Sequence, residues 1–350
     1  MGTNGKPIRV LVVDDSAFMR FSITRHLSET TGLQVVGAAR DGEEAISMIP
    51  RLKPDVVTLD IEMPRMDGLT VLRKVMAHQP LPVIMLSSLT SEGARETVQA
   101  LTWGAVDFVT KPAAKANIQA VMEELVVKIR RAAGTRMFTV PLARREDTAP
   151  PPTMRKPSRP LRSQDRILLI GASTGGPRAL NTLVTSLPAN LPAAVVIIQH
   201  MPAGFTRSLA ERLDSQSRIA VKEAAPGDRL EVGRALLAPG GFHLTFNAVG
   251  EAAVNQNPPV HGVRPAIDVT MASLAQYFGP NILGVVLTGM GCDGTNGATL
   301  IRSAGGRIIA EEESTCVVYG MPRSVIEAGQ ADQVAPLPQI AAAIERMLRF

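Results

Sequence analysis

Cysteine is nearly absent from this chain of 350 residues, with Cys292 and Cys316 the only two. Two thiols build no disulfide framework, and their separation matches no metal-ligand spacing, so free thiols in a cytoplasmic protein are expected. Long apolar runs are also lacking. No stretch approaches the ~20 residues that a bilayer span needs, which excludes membrane insertion by a helix. The opening MGTNGKPIRV has no apolar segment of the kind a signal peptide carries, and Lys6 stands where a myristoylation signal wants Ser or Thr. A basic recognition face is missing too. The formal net charge is +5, but seven Arg/Lys against three Asp/Glu fall between Gly134 and Asp165. The excess therefore belongs mainly to one segment, and nucleic acid is not an expected partner.

That segment also marks a boundary. It holds six prolines, including the run Pro150 to Pro152, without sustained apolar periodicity. It reads as a semi-extended, solvated linker. A chain of this length exceeds what one core usually holds. The expected division is a first domain over 1–133, a linker over 134–164 and a second domain over 165–350. On both sides short apolar runs alternate with amphipathic stretches, the pattern of α/β domains built on parallel sheets. In the first domain strands are predicted at 8–14, 34–39, 56–60, 82–87 and 107–110. Helices are predicted at 16–30, 42–52, 68–78, 91–102 and 116–132. In the second, strands are predicted at 166–171, 193–199, 281–289 and 306–311. The run ALLAPGGFHLTF (235–246) reads as an inserted β-hairpin around Pro-Gly-Gly. The fold class is thus a five-stranded parallel doubly wound domain followed by a larger, mainly parallel doubly wound one.

In open α/β sheets function gathers at the carboxyl ends of strands. Asp14 and Asp15 follow the first predicted strand, Asp60 the third, Ser87 and Ser88 the fourth, and Lys111 the fifth. Carboxylates converging on one edge repel unless a cation neutralises them, and Mg²⁺ prefers such oxygens. A neutralised carboxylate can then attack a phosphoryl group while Lys111 offsets developing charge. The segments VLVVDDSAFMR, VVTLDIEMPRMDGL, MLSS and FVTKP resemble the signature of bacterial two-component receivers. The resemblance implies phosphoryl transfer from a histidine kinase to Asp60. It further implies Mg²⁺ held by Asp15, Asp60 and the Glu62 carbonyl with Asp14 assisting, Ser87 and Phe108 as switch residues, and a cis Lys111–Pro112 turn.

In the second domain the first strand runs into GASTGGPRAL, where Gly171 to Gly175 fit G-x-S-x-G between a strand and a helix. That is the setting of a nucleophile elbow, with the Thr174 amide available to an oxyanion. Equally, Ser173 or Thr174 could simply cap the helix. Histidine is scarce, with only five in the chain. His200 ends the strand AAVVIIQ on the same edge as Ser173, so it is the candidate base. Asp293, after NILGVVLTG, is the candidate third member, and the chain order Ser-His-Asp departs from the common triad orders. Gly289 to Gly294 also fit G-x-G-x-x-G, with Glu311 to Glu313 beyond the next strand. As a dinucleotide fingerprint this is weakened by Asp293, an acid aimed at the pyrophosphate.

GASTGGP, IIQHMP, LTGMGCDG and VYGMP together resemble the protein-glutamate methylesterase/protein-glutamine glutaminase (CheB) family of bacterial chemotaxis. With the receiver, the resemblance spans the chain apart from the linker. It implies Ser173, His200 and Asp293 as the triad, the Met290 amide as an oxyanion donor, hydrolysis of glutamyl methyl esters on chemoreceptors and deamidation of their glutamines. It also implies inhibition by the unphosphorylated receiver, which the linker would let dock over the Ser173 edge and move away. Mg²⁺ for phosphorylation and no cofactor for the ester chemistry are expected, as is a monomer whose partners are the kinase and the receptors. Two positions depart from the family pattern. Cys292 stands where Asn or Asp is frequent, and Ala266 where Ser is common, which bears on contacts near Arg264. Competing outputs are a DNA-binding effector, a silent scaffold, and a serine hydrolase for another acylated protein.

Overall fold

The computed structural model describes residues 6–111, 118–135 and 158–349. The chain divides into two compact units, Met1–Ala143 and Arg144–Phe350. Among the described residues no helix is long and apolar enough to cross a membrane.

In the first unit, strands β1 (Ile8–Val13), β2 (Leu33–Ala39), β3 (Val56–Asp60), β4 (Val83–Ser87) and β5 (Asp107–Thr110) alternate with helices α1 (Ala17–Glu29), α2 (Gly42–Leu52), α3 (Gly68–His78), α4 (Ser91–Trp103) and α5 (Ile118–Ala132). The sheet order is β2-β1-β3-β4-β5, every pairing parallel. β3 and β4 are buried along their whole length, which is why they read as unbroken apolar runs. Helix starts follow their caps: Ser16, Asp41, Asp67 and Thr90 each accept a hydrogen bond from the amide three residues on. Pro112 of the expected Lys111–Pro112 turn lies outside the described residues.

The second unit contains β6 (Arg159–Pro160), β7 (Arg166–Ala172), β8 (Ala193–Gln199), β9 (Ala220–Glu223), β10 (Glu231–Val232), β11 (Arg234–Leu237), β12 (His243–Phe246), β13 (Ala252–Asn255), β14 (Ile282–Val286), β15 (Arg307–Glu311) and β16 (Gln333–Ala335). Its helices are α6 (Gly176–Ser186), α7 (Phe205–Gln216), α8 (Ile267–Phe278), α9 (Thr295–Ser303), α10 (Met321–Glu327) and α11 (Leu337–Leu348). Seven strands form one wholly parallel sheet in the order β16-β15-β14-β7-β8-β11-β9. α6 packs on α7 and α11, while α8 packs on α9 and α9 on α10, giving two helical layers. Residues such as Ile167, Leu169, Val196, Ile198, Met271 and Ile301 form a fully buried core between sheet and helices.

Two expectations need correction here. The run at 235–246 is no hairpin. β11 joins the parallel sheet between β8 and β9, and Pro-Gly-Gly is a crossover whose Gly240 has backbone of Pro202 where a Cβ would stand. The antiparallel hairpin is β12–β13 instead. Its turn is set by Asn247, whose Oδ1 accepts from the amides of Val249 (3.1 Å) and Glu251 (3.0 Å), and by Gly250 at φ +73°. The second correction concerns the end of the expected linker. β6 pairs antiparallel with β10, and the Arg159 guanidinium grips Asp165 at 2.6 and 2.8 Å. Pro160 tolerates this place because a two-stranded ribbon leaves an open edge. The second unit's regular structure therefore begins before residue 165.

Candidate active site

Strand order positions the chemistry. From β7 the chain moves to β8 on one side and later to β14 on the other, so the crevice between β7 and β14 is a topological switch point. Ser173 leaves β7, His200 leaves β8 and Asp293 follows β14. The His200 amide donates to the Ala172 carbonyl at 3.1 Å, locking the two strand ends side by side. Thr288 ties the third strand in, its carbonyl accepting from the Ser173 amide at 3.0 Å.

His200 Nε2 lies 2.8 Å from Asp293 Oδ2. That carboxylate is 2% exposed and accepts three backbone amides besides: Ile267 on Oδ2 (2.7 Å), and Asp268 (2.9 Å) and Gly294 (3.0 Å) on Oδ1. Burial works to raise its pKa, but the His200 bond and these amides outweigh burial and hold it below the usual carboxylate range. Asp293 is thus an ionised, fixed acceptor that assigns Nε2 of His200 the proton and leaves Nδ1 as acceptor. Ser173 Oγ makes no hydrogen bond among the described residues, to His200 or otherwise. The alternative of a capping role fails on geometry. The N-cap of α6 is Gly175 at φ +79°, so neither Ser173 nor Thr174 occupies the capping position.

The Met290 amide makes no hydrogen bond among the described residues, while the loop around it is pinned. Gly289 donates to Val318 (3.0 Å) and accepts from Gly320 (3.0 Å) and Met321 (2.8 Å). A Cβ on Gly320 would lie 3.0 Å from the Gly291 amide nitrogen. The VYGMP segment is therefore the platform beneath the Gly289–Gly291 loop. Sequence reasoning assigned no role to several residues that hold the site. Gln199 Nε2 donates to the carbonyls of Ser173 (2.9 Å) and His200 (3.1 Å). Thr288 Oγ1 donates to Thr174 O at 3.0 Å. Asp268 Oδ1 accepts from Gly294 (2.9 Å) and Gly297 (2.7 Å). Gln199 and Thr288 lie inside the quoted motifs, and that adjacency was the available signal. Glu311, the acid of the dinucleotide pattern, is fully buried, with Oε2 on the Thr288 amide (2.7 Å) and Oε1 on Thr315 Oγ1 (3.0 Å). It cannot meet a ribose.

At β12 and α8 one of the two departures from the family pattern, Ala266, is also placed, together with nearby Arg264. Ala266, fully buried, precedes α8 without a side-chain cap, its amide donating to His243 Nδ1 at 3.2 Å. Arg264 turns to the carbonyls of Gln256 (2.8 Å) and Asn257 (3.0 Å).

In the first unit Asp14 and Asp60 are buried and Asp15 is exposed, with one oxygen of each inside a sphere of 4.8 Å mutual separation. Lys111 Nζ is 2.6 Å from Asp60 Oδ2 and 3.2 Å from Asp14 Oδ2. Both oxygens are buried and neither receives a hydrogen bond of normal geometry, which is what a hard cation's ligands would look like without it. Burial, then the Asp14 charge, push Asp60 up to about 7 against the pull of Lys111. Glu62 sits beside the cluster, its amide 3.3 Å from Asp60 Oδ1 and its carboxylate accepting from Ser88 Oγ at 2.8 Å. Ser87 is turned inward, its hydroxyl donating to Gly93 O (3.2 Å) and accepting from Thr97 Oγ1 (2.5 Å). Phe108 is buried.

A receiver joined to an α/β unit with a His–Asp pair at its switch point defines a response regulator with a hydrolase-type output. Residues 10–123 match the response regulator receiver domain and residues 168–344 match CheB methylesterase. The chain belongs to the CheB methylesterase family. It is 51% identical to a protein-glutamate methylesterase/protein-glutamine glutaminase of Symbiobacterium thermophilum, over 97% of each chain. To one named protein-glutamate methylesterase/protein-glutamine glutaminase 2 in Pseudomonas aeruginosa it is 48% identical, over 97% of this chain and 96% of that one. The crystal structure of the Thermotoga maritima CheB methylesterase catalytic domain superposes with a TM-score of 0.51 at 46% identity, covering 52% of this chain and 98% of that one.

Proposed function

We propose that the second unit hydrolyses γ-methyl esters of glutamate side chains on chemoreceptors, and deamidates glutamines at such sites, under control of phosphorylation at Asp60. The His200–Asp293 hydrogen bond at the strand edge that carries Ser173 is the observation that supports this most. His200 Nδ1 takes the Ser173 proton while Nε2–H stays on Asp293. Ser173 Oγ attacks the ester carbonyl, and the Met290 and Thr174 amides stabilise the tetrahedral oxyanion. Methanol leaves with the proton from His200, and water then resolves the acyl-enzyme by the same base. Every group this route needs belongs to the chain, so no cofactor enters the ester chemistry. A primary amide presents the same carbonyl with ammonia as leaving group.

In the receiver, Asp14, Asp15, Asp60 and the Glu62 carbonyl are the proposed holders of Mg²⁺, which when bound supplies positive charge to the carboxylates and to phosphoryl oxygens. Asp60 accepts the phosphoryl group from the histidine kinase of the pathway. Lys111 offsets its charge, and Ser87 and Phe108 are the switch pair. The protein acts as a cytoplasmic monomer on this reading. Substitution Ser173→Ala should abolish methanol release from methylated receptor with the far-ultraviolet spectrum unchanged. Losing one triad member typically costs several powers of ten, so undiminished release would remove Ser173 as nucleophile.

A further inference from the structure

The loop that carries Asp293 holds a second nucleophile with a base and an orienting carboxylate of its own. Cys292 is exposed, and its Sγ lies 3.9 Å from His261 Nδ1. His261 Nε2 is 2.9 Å from Asp268 Oδ2. Asp268 is 8% exposed and cannot swing away, because its other oxygen is held by the amides of Gly294 and Gly297 at 2.9 and 2.7 Å. The fixed acid places the imidazole proton on Nε2 and turns the Nδ1 lone pair to the thiol. That is the order nucleophile, base, orienter. The two sets are also joined. The Asp268 amide donates to Asp293 Oδ1 at 2.9 Å, and the Gly294 amide is shared between Asp268 and Asp293.

A metal reading of the same cluster fares worse. His261, Asp268 and Asp293 offer ligand atoms within 4.8 Å of one another. Each carboxylate oxygen, however, already accepts an N–H from His261, His200 or a backbone amide. A cation would have to displace those donors, whereas the thiol uses them as they stand.

We propose that Cys292 is a modification site for hydroperoxides, activated by His261 and Asp268, and that its oxidation stops hydrolysis at Ser173. His261 Nδ1 takes the Sγ proton. The thiolate sulfur attacks one peroxide oxygen, an S–O bond forms and the O–O bond breaks. Sulfur is oxidised by two electrons to the sulfenic acid, and the departing hydroxide takes the imidazolium proton and leaves as water. The oxidised residue belongs to the short loop that runs from Met290, the proposed oxyanion donor, to Asp293. The backbone there has little freedom to retreat, with Gly291 at φ +87° and the Cys292 carbonyl bound by the Thr295 amide at 3.1 Å.

The test uses the full chain, hydrogen peroxide and a 1,3-dione that traps sulfenic acid, with both cysteine peptides followed by mass spectrometry. Cys292 should be labelled roughly tenfold or more faster than in His261→Gln, and also than in a free peptide of sequence TGMGCDGT. Buried Cys316, whose thiol is pushed up by burial and by Glu311 beside it, should stay unlabelled. Methanol release should fall in step with labelling, return with dithiothreitol, and persist under peroxide in Cys292→Ala. Equal labelling of protein and peptide would overturn the activation, and needs no variant to fold. Full labelling with undiminished hydrolysis would overturn the switch. Only this second arm rests on the proposed esterase activity, so an inactive preparation leaves the labelling arm decisive.

Discussion

Single residues behind the site carry much of its precision. Glu311 is the clearest case, a carboxyl with no exposure and, among the described residues, no cation contributing to its environment. Burial raises it to about 7, against the opposing hydrogen bonds from the Thr288 amide and Thr315. In the unfolded chain a glutamate titrates near ~4.3. Between these values the folded state binds the extra proton, so Glu311 adds stability below the unfolded pKa and loses it as pH rises through about 7. Glu311→Gln keeps an acceptor for the Thr288 amide and removes the titration. Its melting temperature should gain on the parent protein between pH 5 and pH 8, by calorimetry of the second unit's transition. Parallel curves for the two proteins would show that Glu311 does not titrate there.

At the scale of elements, turns matter more than the strands they join. A Cβ on Gly289 would stand 2.7 Å from Ser173 Cβ and 2.3 Å from Met321 Sδ. Gly289→Ala should therefore displace the elbow or the Met290 loop and lower kcat about 100-fold, with phosphorylation of Asp60 unaffected; a kcat within a factor of two would mean the loop absorbs the methyl. The βα alternation, and with it the strand ends bearing Asp60, Ser173 and His200, was legible because buried parallel strands are short apolar runs with few alternatives. β9 and β16 were not, and β11 was legible only as a strand-like run whose partner was misread. Each is three or four residues long and gains its identity from neighbours far along the chain. The hairpin was misread for a related reason, since Pro-Gly-Gly marks a change of direction but not which strand comes next. The support of Asp293 by the Ile267 and Asp268 amides was hidden too, because it joins segments that sequence leaves far apart.

For the whole molecule the prediction concerns control. A small phosphodonor with Mg²⁺ should raise methanol release by the full chain, whereas Asp60→Asn should not respond. A fragment beginning at Ser158, so that β6 is kept, should exceed the unphosphorylated full chain in activity. Equal rates for the two would remove the inhibitory role assigned to the receiver. The fragment boundary follows from the β6–β10 pairing, since a cut at 165 would strip an edge strand and the Arg159–Asp165 clasp.

The β7–β14 pairing has a consequence in time. Its register joins Ile167 to Ile282 and Gly171 to Val286, partners separated by on the order of a hundred residues. Such distant pairing closes slowly, and in a chain made from its N-terminus it waits for late segments to be synthesised. The receiver's sheet, by contrast, is complete within the first third of the sequence. Nascent chains should thus bear an acceptor aspartate long before they bear a working serine. On dilution from urea, phosphorylation competence should return ahead of ester hydrolysis, and simultaneous recovery would contradict that order.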